Sequence, residues 1–130
     1  MAFTMQSLTP VMFVDAIEPC LDFWKRLGFE ISGQVPEGDS IGFIMLRNGP
    51  VEVMYESRPC LARDVPSMAD YPSCHALYIH VTNIEEVIAA AGDAPVLMPK
   101  RTAFYGAVEI TYREPGGNAV TFSEMSANAG

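Results

Sequence analysis

Two histidines and a cysteine lie close together in the middle of the chain, where they could act as metal ligands or as a nucleophile and its base. Cys74 and His75 are adjacent, and His80 follows five residues after His75. The segment is predicted to be a strand, so His75 and His80 point to opposite faces and Cys74 diverges from His75. Cys74 and His80 share a face but lie about 20 Å apart at about 3.3 Å per residue. The pattern therefore predicts neither a local chelate nor a cysteine–histidine pair.

Other reactive residue types also lack the neighbours that their chemistry needs. The three cysteines, at positions 20, 60 and 74, are an odd number without the spacing of a disulfide framework, and we expect reduced thiols in a cytoplasmic protein. Ser73 and Ser123 have no recognisable base partner. Gly116 and Gly117 belong to a predicted hairpin turn without a phosphate-loop pattern. Catalytic residues stay unassigned at this point.

Composition and charge restrict the classes of partner. The chain has 130 residues, 49% of them hydrophobic and 18% charged, which is enough for one domain with its own core. Its 16 acidic and 8 basic residues give a net charge of −8, and the basic residues are scattered, so no nucleic-acid footprint is expected. An acidic field instead favours cationic ligands. No apolar run is long enough to cross a bilayer and the first residues lack a signal-peptide pattern, so we expect no membrane partner.

The elements that must position these residues follow a βαβββ order in the first half of the chain. Residues 8–14 form a short apolar run typical of a buried strand. Apolar residues at helical spacing run from Ile17 to Leu27, with Pro19 suited to the first turn and Gly28 to the end. Three further strands are predicted at residues 29–34, 40–47 and 51–56.

The same order returns after a proline-rich connector with room for one helical turn. A strand is predicted at residues 74–81, then a helix with an Asn83–Glu86 capping box and Gly92 at its end, then strands at 96–98, 104–113 and 118–123. The halves align at a constant offset of 67 residues, which matches Arg47 to Glu114. We predict an α+β fold of one domain, with βαβββ modules at residues 1–57 and 74–124, a connector at 58–73 and a tail at 125–130.

Segments near both ends resemble a known superfamily. Residues 8–15 (LTPVMFVD) and 21–29 (LDFWKRLGF) resemble the opening of a vicinal-oxygen-chelate protein. Residues 105–122 (YGAVEITYREPGGNAVTF) are similar to the closing hairpin of the same superfamily, whose Pro-x-Gly-Asn turn is the more specific signature. The superfamily includes glyoxalase I, extradiol dioxygenases, fosfomycin-modifying enzymes and bleomycin-binding resistance proteins. The resemblance implies paired βαβββ modules that curl into half-barrel sheets around a cavity.

The resemblance also identifies where the enzymes of the superfamily hold a metal. Aligned on the ends of the first strands, those positions are Thr9, Met54, Ala76 and Thr121 in this chain. None of them is an imidazole or a carboxylate, and a divalent ion needs several such donors. We therefore expect no metal and no cofactor, which is closest to the metal-free, bleomycin-resistance-like branch.

Strand alternation from these positions predicts which side chains face the cavity. The predicted face combines aromatic and polar groups, as small-molecule pockets do. Each of these residues also has a plain structural interpretation, as a core, rim or solvated side chain. Glu109 has the additional support that similar hairpins carry a glutamate there. The candidate ligand-binding residues are Phe13, Met54, Glu56, Tyr78, His80, Tyr105, Glu109 and Thr121.

These observations favour a metal-free protein that binds a small molecule. The acidic balance favours a cationic compound. The resemblance to the bleomycin-binding branch implies a cationic or aromatic, antibiotic-like compound, which such a protein would sequester without catalysis. The alternative is a lyase, isomerase or dioxygenase of the same fold with a non-standard active site, and a sensing module without chemistry is a third possibility. Relatives are commonly homodimers with crevices at the subunit boundary, and the resemblance implies the same here.

Overall fold

The computed structural model describes residues 2–125, so that Met1 and residues 126–130 of the predicted tail lie outside the described part. Residues 2–10 are extended and form no strand. The first module contains β1 (Val11–Val14), α1 (Leu21–Arg26), β2 (Glu30–Glu37), β3 (Ser40–Asn48) and β4 (Val51–Ser57). The connector contains α2 (Arg58–Asp64), and short 3-10 turns lie at Glu18–Cys20 and Pro66–Met68. The second module contains β5 (Ala76–His80), α3 (Ile84–Ala91), β6 (Val96–Thr102), β7 (Ala107–Arg113) and β8 (Ala119–Met125).

Each module forms a four-stranded sheet, and the two sheets have the same topology. Sheet A has the order β1-β4-β3-β2 and sheet B the order β5-β8-β7-β6. In each sheet the first strand of the module runs parallel to the fourth, while the other neighbours are antiparallel. The predicted α+β class with tandem βαβββ modules is confirmed.

The constant offset of 67 residues between the modules is wrong for the third strands. Met45 is directly opposite Met54 in sheet A, and Thr111 is directly opposite Thr121 in sheet B. The fourth strands are therefore 67 residues apart, whereas the third strands are 66 apart because the second hairpin turn is one residue longer. Arg47 consequently corresponds to Arg113 rather than to Glu114.

Several predicted boundaries also move, each for a local reason. The strand predicted at 96–98 stopped before Pro99, but β6 is an edge strand, where a missing N–H is tolerated, and it continues with a register shift. The strand predicted from residue 104 begins at Ala107, because Gly106 (φ 94°) closes a turn before it. The connector contains two helical turns because Ser57 caps α2, accepting a hydrogen bond from the Cys60 N–H.

One of the two hydrogen bonds of the predicted capping box of α3 is present. The Asn83 side chain accepts a hydrogen bond from the Glu86 N–H at 3.2 Å, and Gly92 (φ 58°) ends the helix. The Glu124 carboxylate of β8 accepts another hydrogen bond at this helix end, from the Ile84 N–H at 2.8 Å. Strand β8 therefore contributes to the start of this helix. None of the helices between residues 2 and 125 is long and apolar enough to span a membrane.

One hydrophobic core extends through both modules. Its largest side chain, Trp24 of α1, is fully buried and packs edge-to-face on Phe23 and Phe29. Phe23 in turn packs against Tyr112 of β7, with ring centroids 6.5 Å apart. The inward faces of the two sheets are therefore covered by the same helical layer, and the modules share their buried aromatic residues.

A buried polar chain, which we call the Trp24–Tyr55–Glu114 link, also joins the modules. The Trp24 indole N–H donates to the Tyr55 hydroxyl at 2.7 Å, and that hydroxyl donates to the Glu114 carboxylate. Glu114, only 1% exposed, also accepts from the Gly116 N–H and from the backbone and side-chain N–H groups of Asn118. Burial, and then the Glu114 charge, raise the pKa of Tyr55, so its hydroxyl stays protonated and continues to donate.

Candidate functional site

The candidate residues lie on the sheet faces that point away from the core. Val11 and Phe13 of β1 are opposite Met54 and Glu56 of β4, and these side chains are only partly buried. The alternate side chains on the same strands are buried in the core. We call this outer surface the open face of sheet A.

Sheet B has a corresponding open face. Its central residues on β5 and β8 are Tyr78, opposite Thr121, and His80, opposite Ser123. On β7, Glu109 is opposite Ser123 and Thr111 is opposite Thr121. The grouping of residues by face therefore agrees with the predicted strand alternation.

Tyr78, Tyr105 and Glu109 form a hydrogen-bonded cluster on the open face of sheet B. Both phenol hydroxyls donate to the same carboxylate oxygen, Oε2 of Glu109. The two hydroxyls are 3.2 Å apart, and the Tyr78 hydroxyl is also 2.9 Å from the Ser123 hydroxyl. The second oxygen, Oε1, faces an Arg101 guanidinium nitrogen at 3.7 Å. One carboxylate therefore holds groups from β5, β6 and the turn between β6 and β7.

Glu109 is ionised although its side chain is only 3% exposed. The hydrogen bonds from Tyr105 and then Tyr78 lower the pKa of Glu109, Arg101 lowers it further, and burial opposes them. The same hydrogen bond to Glu109 raises the pKa of Tyr105. At neutral pH the cluster thus contains an ionised Glu109 carboxylate that accepts a hydrogen bond from the protonated Tyr105 phenol.

Aromatic surface surrounds this carboxylate and is open to solvent. The Tyr78 and Tyr105 side chains are 47% and 43% exposed. His80 packs edge-to-face on Tyr78 at 5.2 Å, and the fully exposed Phe104 packs edge-to-face on Tyr105 at 5.0 Å. Ring faces beside a carboxylate attract organic cations, both by charge and by the ring quadrupole.

The turn between β6 and β7 positions Tyr105. The Ala103 N–H donates to the Ala107 carbonyl at 2.8 Å, and the Gly106 N–H donates to the Ala103 carbonyl at 2.9 Å. Gly106 adopts the left-handed region that this turn requires. The turn places the Tyr105 hydroxyl directly over Glu109, four residues later on β7.

The candidates on sheet A do not join this cluster. Phe13 lies beneath the Arg58 guanidinium, 5.9 Å from its ring centroid. Glu56 lies near Cys60 and Asp64 of α2. No hydrogen bond connects these residues or Met54 to the Tyr78–Glu109 cluster within residues 2–125. The eight candidates therefore divide into two separate groups within one chain.

The positions that hold a metal in the enzymes of the superfamily do not suit one here. The Thr9 hydroxyl donates to Glu52 at 3.1 Å, and the Thr121 hydroxyl lies 2.6 Å from that of Thr111. Met54 and Ala76 supply only a thioether and a methyl group, and neither is a donor that a divalent ion takes in such a site.

The structure also brings together a group of potential metal ligands that the sequence did not predict. Within the described residues, ligand atoms of Glu56, Cys60 and Asp64 lie within 4.8 Å of one another. Burial and the two carboxylates raise the pKa of the Cys60 thiol to about 11, so the thiol is protonated and donates to Asp64. Arg63 approaches the same sulfur at 3.7 Å. The group is already satisfied by hydrogen bonds and an arginine.

Sequence reasoning also missed Arg101, Thr111 and the role of Ser123. Ser123 has no partner nearby in the sequence, because its hydrogen-bond partner is Tyr78, 45 residues away. Thr111 follows Glu109 by two residues, so alternation could have placed it. Arg101 could not be placed because the register of β6 shifts between Met98 and Arg101.

Two cavities lie in the seam between the modules, apart from the Tyr78–Glu109 cluster. One, of about 530 Å³, is lined by apolar residues including Phe29, Ile79 and Val87 and by polar residues including His80 and Glu86. The other, of about 450 Å³, lies between α1 and the turn that carries Glu114. Neither is lined by Tyr78, Tyr105 or Glu109, so the cluster belongs to an outer surface.

Comparison with known proteins places this architecture. The protein resembles the solved structure of TioX from Micromonospora sp. ML1, with a TM-score of 0.75, 16% identity, and coverage of 94% of this chain and 100% of that one. A bleomycin-binding protein complexed with bleomycin gives a TM-score of 0.65, 14% identity, and coverage of 94% and 100%. Lactoylglutathione lyase from Agrobacterium tumefaciens gives 0.70, 15%, and coverage of 93% and 94%.

At these identities the solved structures establish the fold alone. No curated protein matches the chain. The family model described as Glyoxalase/Bleomycin resistance protein/Dioxygenase superfamily matches residues 6–122, nearly the whole chain. The protein therefore belongs to the glyoxalase/bleomycin resistance protein/dioxygenase superfamily, as the opening and closing segments of its sequence indicated.

Proposed function

We propose that the protein is a metal-free binder of a small cationic or aromatic compound, and that the open face of sheet B is its binding surface. The observation that carries the proposal is the ionised, nearly buried Glu109 between two half-exposed tyrosine rings. Oε2 of Glu109 accepts hydrogen bonds from the phenols, while Oε1 has only Arg101, at 3.7 Å, as a partner among residues 2–125. An ammonium or amidinium group can replace Arg101 at Oε1 and lie against the rings of Tyr78 and Tyr105.

The protonation states support binding over acid–base catalysis. A general base works best with a pKa near the operating pH, and the pKa of Glu109 is lowered away from neutrality. The raised pKa of Tyr105 makes that phenol a poor proton donor to substrate. This balance disfavours the alternative lyase, isomerase or dioxygenase activity. The bleomycin complex of a structural neighbour supports an antibiotic-like ligand.

The proposal is tested with benzylammonium as the probe and benzyl alcohol as its neutral counterpart, by isothermal titration calorimetry. The wild-type protein is expected to prefer the cation, and Glu109→Gln to reduce that preference by about 10- to 100-fold, the value of a hydrogen bond to a charged group. Glu52→Gln changes the carboxylate on the open face of sheet A and is the matched control, expected to leave the preference intact. Equal binding of the two probes by the wild-type protein would refute the proposal.

Metal analysis of the purified protein tests the metal-free part separately. The residues at the superfamily's metal positions predict no stoichiometric zinc, iron, manganese or nickel. One bound ion per chain that is needed for benzylammonium binding would overturn this part. A thermal-shift screen of cationic drugs, bleomycin included, then searches for the ligand, since a compound at 100 times its Kd adds about 2.7 kcal/mol of stability.

We also propose that the protein is a homodimer. The support is the segment at residues 2–10, whose Phe3, Met5 and Leu8 side chains are 77%, 82% and 89% exposed. Exposed apolar residues in a row favour contact with another chain. Analytical ultracentrifugation is expected to give a dimer that Leu8→Asp weakens and the control Ser7→Asp does not. A monomeric wild-type protein would contradict the proposal.

A further inference from the structure

The corresponding ends of the two open faces differ in charge. In sheet A, Arg47 of β3 is directly opposite Glu52 of β4 and pairs with it at 2.8 Å. The Thr9 hydroxyl donates to the other oxygen of the same carboxylate at 3.1 Å. The side chain of Glu52 is 17% exposed. The charge of Arg47 is therefore neutralised by a carboxylate of the same sheet.

The matching row of sheet B retains the arginine but not the carboxylate. Arg113 of β7 is directly opposite Ala119 of β8, which is opposite Ala76 of β5. Counted from the central pairs, Met45–Met54 and Thr111–Thr121, these residues occupy the positions of Arg47, Glu52 and Thr9. Among residues 2–125, no carboxylate forms an ion pair with Arg113. Neither Ala76 nor Ala119 carries a group that could pair with the exposed Arg113.

We propose that Arg113 is an anion-binding subsite, and that the ligand of sheet B carries a carboxylate or phosphate group as well as a cationic group. This deepens the proposed function and rests on it for the cationic end. Glu109 and Arg113 lie on the same face of β7, four residues apart, or about 13 Å along the strand. The hydroxyl pair of Thr111 and Thr121 lies between them and offers hydrogen bonds to the middle of the ligand. An arginine fork suits carboxylate and phosphate geometry.

The first experiment titrates the isotope-labelled protein with inorganic phosphate and follows the arginine side-chain NMR signals. We expect the Arg113 signal to shift with an affinity about two- to fivefold higher than that of Arg47, the size of an exposed ion pair. Ala119→Glu restores the carboxylate of sheet A and is expected to abolish the Arg113 response. Glu52→Ala removes it from sheet A and is expected to make Arg47 respond. Equal responses of both arginines in the wild-type protein would overturn the proposal.

The second experiment tests both ends of the ligand and does not depend on the folding of Ala119→Glu. Its probes are ω-aminoundecanoate and its methyl ester, which share the ammonium end and the alkyl chain and differ in whether the other end is an anionic carboxylate. The wild-type protein is expected to prefer the acid by about two- to fivefold, with a preference that declines in high salt. Arg113→Gln is expected to remove the preference and leave ester binding unchanged; retention of the preference in Arg113→Gln would overturn the anion subsite.

The two proposals fail in different ways. If the ester does not bind while phosphate still shifts Arg113, the cationic site at Glu109 is wrong, and with it the two-charge ligand, but the anion subsite stands. If the ester binds and Arg113→Gln has no effect on the acid, the proposed function stands and the anion subsite is wrong. Glu109→Gln is expected to weaken the ester and to leave the phosphate response of Arg113 unchanged.

Discussion

Tyr55→Phe is the sharpest test of how the two modules hold together. The substitution removes one oxygen from a fully buried side chain and leaves its ring in place. Trp24 then loses its acceptor at 2.7 Å, and Glu114 loses one of its donors. The Trp24 N–H has no other acceptor among residues 2–125, whereas Glu114 keeps three N–H donors from Gly116 and Asn118.

The expected loss of stability follows from the loss of these two hydrogen bonds. An unsatisfied buried partner costs about 1–3 kcal/mol, and Glu114 falls at the lower end because its other donors remain. We therefore expect the free energy of unfolding to fall by about 2–4 kcal/mol, a large part of the 5–15 kcal/mol typical of a domain. Urea unfolding followed by circular dichroism measures this loss. Emission of Trp24, the one tryptophan in the chain, reports on the link itself.

Tyr112→Phe is the matched control. Tyr112 is also buried at 1% exposure, but its hydroxyl makes no hydrogen bond to another side chain within residues 2–125. Removing that hydroxyl is expected to cost less than about 1 kcal/mol. If Tyr55→Phe and Tyr112→Phe lose the same stability, or if Tyr55→Phe loses less than about 1 kcal/mol, the link does not stabilise the module contact and the reasoning is refuted.

Three further outcomes are expected. The pKa of Glu109 is lowered in the folded state, so its ionisation stabilises the fold above the unfolded-state pKa, and this stabilisation is lost as pH falls through the folded-state pKa. The free energy of unfolding of the wild-type protein should therefore decline more steeply in acid than that of Glu109→Gln. Parallel pH profiles of the two proteins would contradict this. Burial raises the pKa of Cys20 to about 12 and of Cys60 to about 11, so iodoacetamide at pH 8 should first label the exposed Cys74, which mass spectrometry of peptides reports. Asn83→Ala should lower the free energy of unfolding by about 1 kcal/mol through loss of the α3 cap, and an unchanged urea midpoint would refute that role.

The fold could be predicted from local patterns because those patterns carry their own physics. The Asn83 side chain caps α3 through a contact with a residue three positions later, and Gly92 ends the helix because its backbone readily adopts a positive φ. Alternation along a strand assigns a face without any tertiary information, which is why Tyr78 and Thr121 were grouped correctly. The repeated βαβββ pattern predicted the order of strands and main helices along both modules.

The site could be predicted only in part because its contacts depend on register and on packing between modules. Tyr105 meets Glu109 through a turn whose shape depends on Gly106, and Arg101 arrives after a register shift. Glu114 lies in a hairpin turn, where a charged residue is normally solvated, yet it is 1% exposed because the other module covers it. No local pattern encodes which residue of one module covers a turn of the other.

The shared core constrains how such a doubled chain can arise. Each half contributes aromatic side chains that the other half helps to shield, since Phe23 packs on Tyr112 and Tyr55 reaches Glu114. In a half-length ancestor that apolar surface would have been exposed to solvent, and pairing with an identical molecule would have buried it. Gene fusion then converts such a symmetric pair into one polypeptide whose halves are free to diverge, and a single exchange of glutamate for alanine at one of two equivalent places is the kind of asymmetry that fusion permits.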